Sequence, residues 1–247
     1  FRIDSASGSF VLKIAHAGEA KANLELQHAV LAHLAVREPG LALQRAVAAR
    51  DGATIVEVAA PSGERHWARL LSFLPGELWS EVAARNRPRA PLLESLGATL
   101  GAIDRGLAGF ESPAAHRDLK WDLRRAGWIR DYLHHIQGAG RRALVERWLA
   151  DFDHRVRPAL EHLRQGVIYN DANDNNILVH AALRGDGTRA GGRAVAGVID
   201  FGDLCFSNVV CEPAIAAAYA TMGLPDPVAG IARLLAGYHT AWPLAAA

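Results

Sequence analysis

Apolar residues fall in two short runs at the start of the chain, Phe1 with Ile3 and then Phe10-Val11-Leu12 with Ile14, on either side of a serine- and glycine-rich stretch over residues 5–9. Runs joined in this way predict a β-hairpin. Over residues 19–36 the period lengthens. Leu24, Gln27, Leu31 and Leu34 share one face, with Ala29 and Ala32 elsewhere, which predicts an amphipathic helix that Glu38-Pro39-Gly40 ends. Strand patterns return over residues 44–48, 54–59 and 65–73, with Asp51-Gly52 and Pro61-Ser62-Gly63 as the turns. The first 73 residues therefore predict a small sheet with one helix set against it.

Leu74-Pro75-Gly76 punctuates the chain, and helical spacing dominates afterwards. Residues 91–107 carry apolar side chains at 92, 93, 96, 100, 103 and 107, with Pro91 suited to the first turn. Residues 120–136 predict a second helix, residues 141–163 a third, and 212–220 and 228–239 two more. Three short β runs interrupt them: Val167-Ile168-Tyr169, Ile177-Leu178-Val179 and Ala196-Gly197-Val198-Ile199, the last two joined by a glycine-rich stretch over 184–193. No internal repeat or long linker divides the chain. The layout is α+β, one domain over residues 1–247. A β-rich lobe over 1–75 and a larger α-rich lobe with a β insert over 76–247 meet at a hinge near Pro75-Gly76.

Composition narrows the partners. Half of the 247 residues are hydrophobic, and 27 basic side chains oppose 26 acidic ones. Such a chain can bury a core, is too apolar for disorder, and has no charge excess to draw nucleic acid. No run approaches the roughly 18 apolar residues of a membrane span. Cys205 and Cys211 make no disulfide framework or zinc pattern, which fits a reducing cytoplasmic setting. The expectation at the ends is of a chain cut at both, since Phe1 stands in the middle of a strand pattern and an alanine run closes the sequence.

The chemistry concentrates in Tyr169-Asn170-Asp171-Ala172-Asn173-Asp174-Asn175-Asn176 and in Ile199-Asp200-Phe201-Gly202-Asp203, each at the end of an apolar strand. An Asn/Asp cluster alone is a turn. Two carboxylates and an asparagine at neighbouring strand ends are also what phosphoryl transfer needs: one base for the attacking hydroxyl, and hard oxygen ligands for magnesium. In the protein-kinase catalytic loop the base aspartate precedes the metal-binding asparagine by five positions. Asp171 and Asn176 keep that spacing, and Asp200-Phe201-Gly202 supplies the metal aspartate. The excess chain between them, residues 180–194, reads as a decorated hairpin turn. Lys13, on the second strand of the opening hairpin, is placed to reach nucleotide phosphates. Asp203 stands where it could face a substrate or an ordering hydrogen bond, and Arg124-Arg125 read as a solvated helix face, with Arg124 also a candidate for a substrate carboxylate. Glu212 reads as a favourable acidic group at a helix N-terminus. His134-His135 and Arg141-Arg142 read as exposed helix surface, and Trp121, Trp128, Trp148 and Trp242 as packing residues.

These motifs resemble the aminoglycoside phosphotransferase and choline kinase-type small-molecule kinases, with a two-lobed protein kinase-like fold. Asn170-Asp171-Ala172-Asn173-Asp174 with Asn176, Ile199 to Asp203, and Val210-Cys211-Glu212 with Ala214-Ile215-Ala216 most resemble the hydroxylysine kinase branch, as do Glu25-Leu26-Gln27 and Trp121-Asp122-Leu123-Arg124. The resemblance implies Asp171 as catalytic base and Asn176 and Asp200 as Mg2+ ligands. It also implies Lys13 as phosphate contact, ATP or GTP as donor, and a small amine- or amino-acid-like acceptor. It implies a hinge over residues 71–75, with Phe73 and Leu74, meeting the base, and weaker substrate roles for Asp122, Arg124 and Asp203. The helix partner of Lys13 is either Glu25 or Gln27, which lie about 200° apart at 100° per residue. A histidine that opens the family's catalytic loop is Tyr169 here, expected to act as scaffold. The strand and phosphate-covering loop expected before the hairpin are absent from the sequence. In bacteria this branch is often fused to a pyridoxal phosphate-dependent aminotransferase. Two readings stand: a kinase for a hydroxylated amine (hydroxylysine first, then aminoglycoside, choline or homoserine types) and a non-catalytic nucleotide-binding module of a fused protein.

Overall fold

A computed structural model describes residues 1–85, 90–183 and 189–244, with side chains left undescribed over 181–193. The opening hairpin forms from β1 (Arg2–Ser5) and β2 (Gly8–Ile14), turning at residues whose glycine, Gly8, sits at φ +134°. Helix α1 (Lys21–Arg37) follows, then β3 (Ala46–Val47), β4 (Val56–Ala59) and β5 (Arg65–Ser72). The strands join as β1-β2-β5-β3, with β4 also on β5, and every pairing is antiparallel. The face of α1 expected to be apolar is the buried one: Leu24, Leu26, Gln27, Val30, Leu31 and Leu34 turn inward.

Beyond Pro75 and Gly76 come β6 (Glu77–Leu78), α2 (Trp79–Arg85) and α3 (Ala90–Leu107). A helix expected over 120–136 is instead a 3-10 run over Leu123–His135, opened by the Asp122 carboxylate accepting from Arg124 N. Side-chain contacts accompany the change. Trp128 Nε1 donates to Lys120 O, and the Lys120 ammonium lies 4.0 Å from the Trp128 ring centroid and 4.7 Å from that of Tyr132. The single helix expected over 141–163 is divided: α4 (Ala139–Asp151), a π-turn at residues 152–156, and α5 (Arg157–Leu160). Asp153 in that turn pairs with both Arg130 and Arg157. Trp121 and Trp148, expected in packing, are 59% and 60% exposed.

Then come β7 (Gln165–Ile168), β8 (Ile177–Leu183), β9 (Arg189–Val198), β10 (Cys205–Asn208), α6 (Cys211–Ala220) and α7 (Pro227–Ala241). Strands β8 and β9 pair antiparallel as the expected hairpin, though its tip at 184–188 lies outside the described residues. Strand β10 pairs with β7, and β6 with β8. One core runs through the helical lobe and up to α1, including Leu34, Leu96, Leu100, Ile103, Val179 and Leu234. Helices α3 and α7 approach backbone to backbone. A Cβ on Gly97 would lie 1.9 Å from Leu234 O, and one on Gly237 would lie 2.0 Å from Glu94 O. Only glycine permits that seam. The fold is a two-lobed α+β arrangement, a small sheet with one helix above a larger helical body that contains short β pairs. Among the described residues no helix is long and apolar enough to cross a membrane.

Candidate active site

The loop after β7 is built on a strained backbone. Asn170 takes φ +66° and Asp200 takes φ +59°, the only non-glycine residues in the left-handed region among those described. Both belong to residue types that tolerate it, and such outliers gather at functional sites. Under the loop lies Glu212, expected to serve the start of its own helix. The structure corrects that expectation: the side chain is wholly buried in the first turn of α6, and Oε2 accepts the Asn170 backbone N–H at 2.6 Å. Burial pushes its carboxyl up to about 7, against the hydrogen bond that holds it down. Tyr169 is equally enclosed. Its hydroxyl donates to Ile199 O at 2.6 Å and its ring lies 4.7 Å from that of Phe201, so it ties the two motif loops together.

Asp171 follows at once, half-buried, with both carboxylate oxygens held. Asn173 Nδ2 donates to Oδ1 at 2.7 Å and Asn176 Nδ2 to Oδ2 at 2.6 Å, with a further bond from Asn176 Nδ2 to Asp171 O at 3.1 Å. Burial pushes the Asp171 carboxyl up to about 6. The nearby Asp203 and Asp200 charges add to the rise, and the two asparagine amides oppose it. A carboxyl titrating just below neutrality, fixed by amides, can accept a proton from a hydroxyl brought to it.

A recess of about 340 Å³ opens between the lobes, lined by Lys13, Gln27, Arg69, Asp171, Asp200 and Asp203 among others. Within it Lys13 Nζ pairs with Asp200 Oδ1 at 2.9 Å. The structure places the two candidate helix partners differently. Gln27 is buried and lines the recess, whereas Glu25 lies off it, exposed and paired with Lys21 at 3.1 Å. Glu25 is thus corrected out of the site, because one face of α1 cannot present both residues. Asp203 lines the recess and faces Arg117 at 3.6 Å, and burial raises its carboxyl above the ordinary range.

Four expected positions sit elsewhere. Phe73 and Leu74 lie at the far end of β5, where Phe73 N donates to Ser9 O at 3.0 Å and the Arg2 guanidinium stacks on the Phe73 ring. Asp122 and Arg124, expected to face substrate, spend their charges on each other at 2.8 Å. Asp122, which is buried, also accepts from Ser207 at 2.8 Å, and Arg124 donates to Phe206 O. They fasten the 3-10 run to β10. Two residues went unread in the sequence. Arg117 donates to Gly202 O at 2.7 Å, steadying the loop after Asp200. Arg69 brings a second cation into the recess, and its signal was a lone charge inside the apolar strand run Trp67-Ala68-Arg69-Leu70-Leu71.

No cluster of three His, Cys, Asp or Glu side chains able to hold a metal occurs among the described residues. The oxygen donors in the recess instead suit a hard divalent cation that takes one carboxylate and one amide from protein and its remaining ligands from phosphate and water. Asp200 supplies the carboxylate. Asn176 commits its nitrogen to Asp171, so its carbonyl oxygen is the atom suited to a cation.

The pattern of the phosphotransferase enzyme family (APH) matches residues 1–247. A hydroxylysine kinase of Mus musculus is 27% identical over 263 residues, covering 100% of this chain and 68% of that protein. A hydroxylysine kinase of Bos taurus is 29% identical over 181 residues, which is 71% of this chain and 46% of the other. Among solved structures, a microcompartment-associated aminopropanol kinase superposes with TM-score 0.69 at 20% identity, over 97% of this chain and 71% of that one. An amicoumacin kinase, in complex with AMP-PNP, Ca2+ and Ami, gives 0.67 at 14%, over 97% and 67%. At such identities the structural likeness is one of fold.

Proposed function

This chain belongs to the phosphotransferase enzyme family, and from that premise we propose that it is a small-molecule kinase moving the terminal phosphoryl group of ATP or GTP to a hydroxyl of a small amine-bearing metabolite, hydroxylysine first. The curated relatives named hydroxylysine kinase support that acceptor, and the chain spans about two thirds of the length of the murine one. The observation that carries the reaction is Asp171, a carboxyl raised to about 6 and held by two asparagine amides in the recess it shares with Lys13 and Asp200. On this reading Asp171 accepts the proton of the attacking hydroxyl, and Lys13 meets the phosphates. Gln27 replaces a helix glutamate as the neutral group beside Lys13. Asp200 and Asn176 would hold a divalent cation, taken to be Mg2+, which neutralises charge on the phosphates. The lobes divide at residues 75 and 76.

Lys13 and Asp200 pair in the recess. With nucleotide and cation bound, Lys13 would turn to phosphate and Asp200 would hold the metal, so each charge would keep a partner. The backbone strain at Asn170 and Asp200 is fixed beforehand by Glu212, Tyr169 and Arg117, leaving little reorganisation for the moment of transfer. A cytoplasmic setting and a fused aminotransferase in the parent protein belong to the same reading.

The test is Asp171→Ala in the full-length protein. Phosphoryl transfer to hydroxylysine should fall by about 10²-fold or more while nucleotide affinity stays within a few-fold. Undiminished turnover in that variant would remove Asp171 as base. Absence of turnover with any hydroxylated amine in the wild type, together with nucleotide-dependent stabilisation, would favour a regulatory nucleotide-binding module.

A further inference from the structure

Strands β2 and β5 pair so that Lys13 and Arg69 are direct cross-strand partners. Residues opposite one another in an antiparallel pair put their side chains on the same face, and like charges placed so are destabilising. Both line the recess. Lys13 has Asp200 at 2.9 Å. Arg69 is only 8% exposed, and among the described residues its guanidinium makes neither a hydrogen bond nor an ion pair. The carboxylates of Asp200 and Glu19 act on it only at longer range, while burial disfavours its charge. A guanidinium carries five N–H donors in a rigid fork, and no Arg69 nitrogen is among the sealed, unpartnered polar atoms, so the fork opens to the recess. Two cations facing one cavity, one of them unpartnered, describe a place for an anion with several oxygens.

The position says which anion. Arg69 stands in the sheet beside Lys13 and shares the recess with Gln27 and Leu24 of α1, whereas Asp171 and Asp203 enter it from loops of the helical lobe, where the proposed base must meet an acceptor hydroxyl. With a divalent cation held at Asp200, Lys13 would also lack its carboxylate, and both sheet cations would need anionic oxygens. The forked guanidinium suits phosphate oxygens, which it can bind in pairs. We propose that Arg69 is a second phosphate-binding residue, holding the diphosphate part of the nucleotide jointly with Lys13. The proposal rests on the kinase reading for the identity of the ligand, and it adds a residue whose loss the acceptor should not notice.

The experiment is calorimetric titration of AMP, ADP and ATP with Mg2+, without acceptor, into wild type, Arg69→Gln and Arg69→Lys. Arg69→Gln should weaken ADP and ATP about tenfold or more and AMP less than about threefold, with Arg69→Lys between it and wild type. The KM for hydroxylysine should stay unchanged. The ligand-free Arg69→Gln protein should melt at or above the wild-type temperature, since the charge it removes has no partner; a purely structural arginine would lower it. Unchanged ADP affinity in Arg69→Gln overturns the proposal. So does an equal loss for AMP, or a rise confined to the KM for the acceptor, which would make Arg69 a carboxylate contact. A wild type that binds nucleotide and phosphorylates nothing refutes the kinase reading and leaves this titration fully decisive.

Discussion

Asp171 and Glu212 are two carboxyls with raised affinities for protons, separated by one residue of backbone contact. Their pH effects can be told apart. As a base, Asp171 works ionised, so kcat/KM should climb with pH through about 6 and level off above it, and a profile flat from pH 5 to 8 would contradict the assignment. Stability runs the other way. A folded-state pKa raised above the unfolded value stabilises fully below the unfolded value and ceases to do so as pH rises through the folded one. For Glu212 that window lies between 4.5 and about 7, and for Asp171 between 3.8 and about 6. Melting temperature should therefore fall as pH rises across 4 to 7, and Glu212→Gln should make the fall shallower while keeping an oxygen for the Asn170 N–H. At this scale the sequence was readable where spacing along one strand end sufficed, as for Asp171 and Asn176. It was unreadable for Glu212, whose partner lies 42 residues away, and for Arg69, whose meaning depends on the register with Lys13.

Helix α3 shows what a periodic pattern can and cannot say. Its apolar positions announced the helix and its buried face, but nothing in the spacing showed that Gly97 and Gly101 admit a second helix at backbone contact. Gly97→Ala should cost about 3 kcal/mol or more, because the added Cβ meets a carbonyl oxygen that only a helix shift can move. Gly140→Ala in α4, where an added Cβ meets nothing within 4 Å, should instead gain about 0.5–1 kcal/mol. Chemical denaturation of the two variants checks the contrast, and similar losses in both would mean that the seam is not rigid. The elements that departed from their pattern did so for side-chain reasons. Lys120 settling over Trp128 and Tyr132 accompanies the 3-10 run, and Asp153 bound by two arginines accompanies the π-turn. Asp153 with Arg157 is an i,i+4 pair, so it is the contact to Arg130, 23 residues back, that helical periodicity does not encode.

Across the whole molecule the two-lobe layout was legible because strand and helix patterns are segregated along the chain. The recess was not, since it is assembled from β2, β5, α1 and the loops after β7 and β9. A ligand that fills such a junction should stiffen both sides. Saturating nucleotide with Mg2+ at about 100 times Kd should add roughly 2.7 kcal/mol, or about 5–10 °C in Tm for a chain of this size, and a chelator should abolish most of the gain. An equal shift with and without the chelator would argue against a metal at Asp200 and Asn176. The glycine seam carries a consequence of another kind, in the order of synthesis. Its two halves, Gly97 with Gly101 on α3 and Gly237 on α7, are made more than a hundred residues apart. A growing chain on the ribosome has α3 ready early, with its glycine groove not yet covered by α7. The helical lobe should therefore stay open and sensitive to protease until α7 has left the exit tunnel, and acquire its resistance in a single late step.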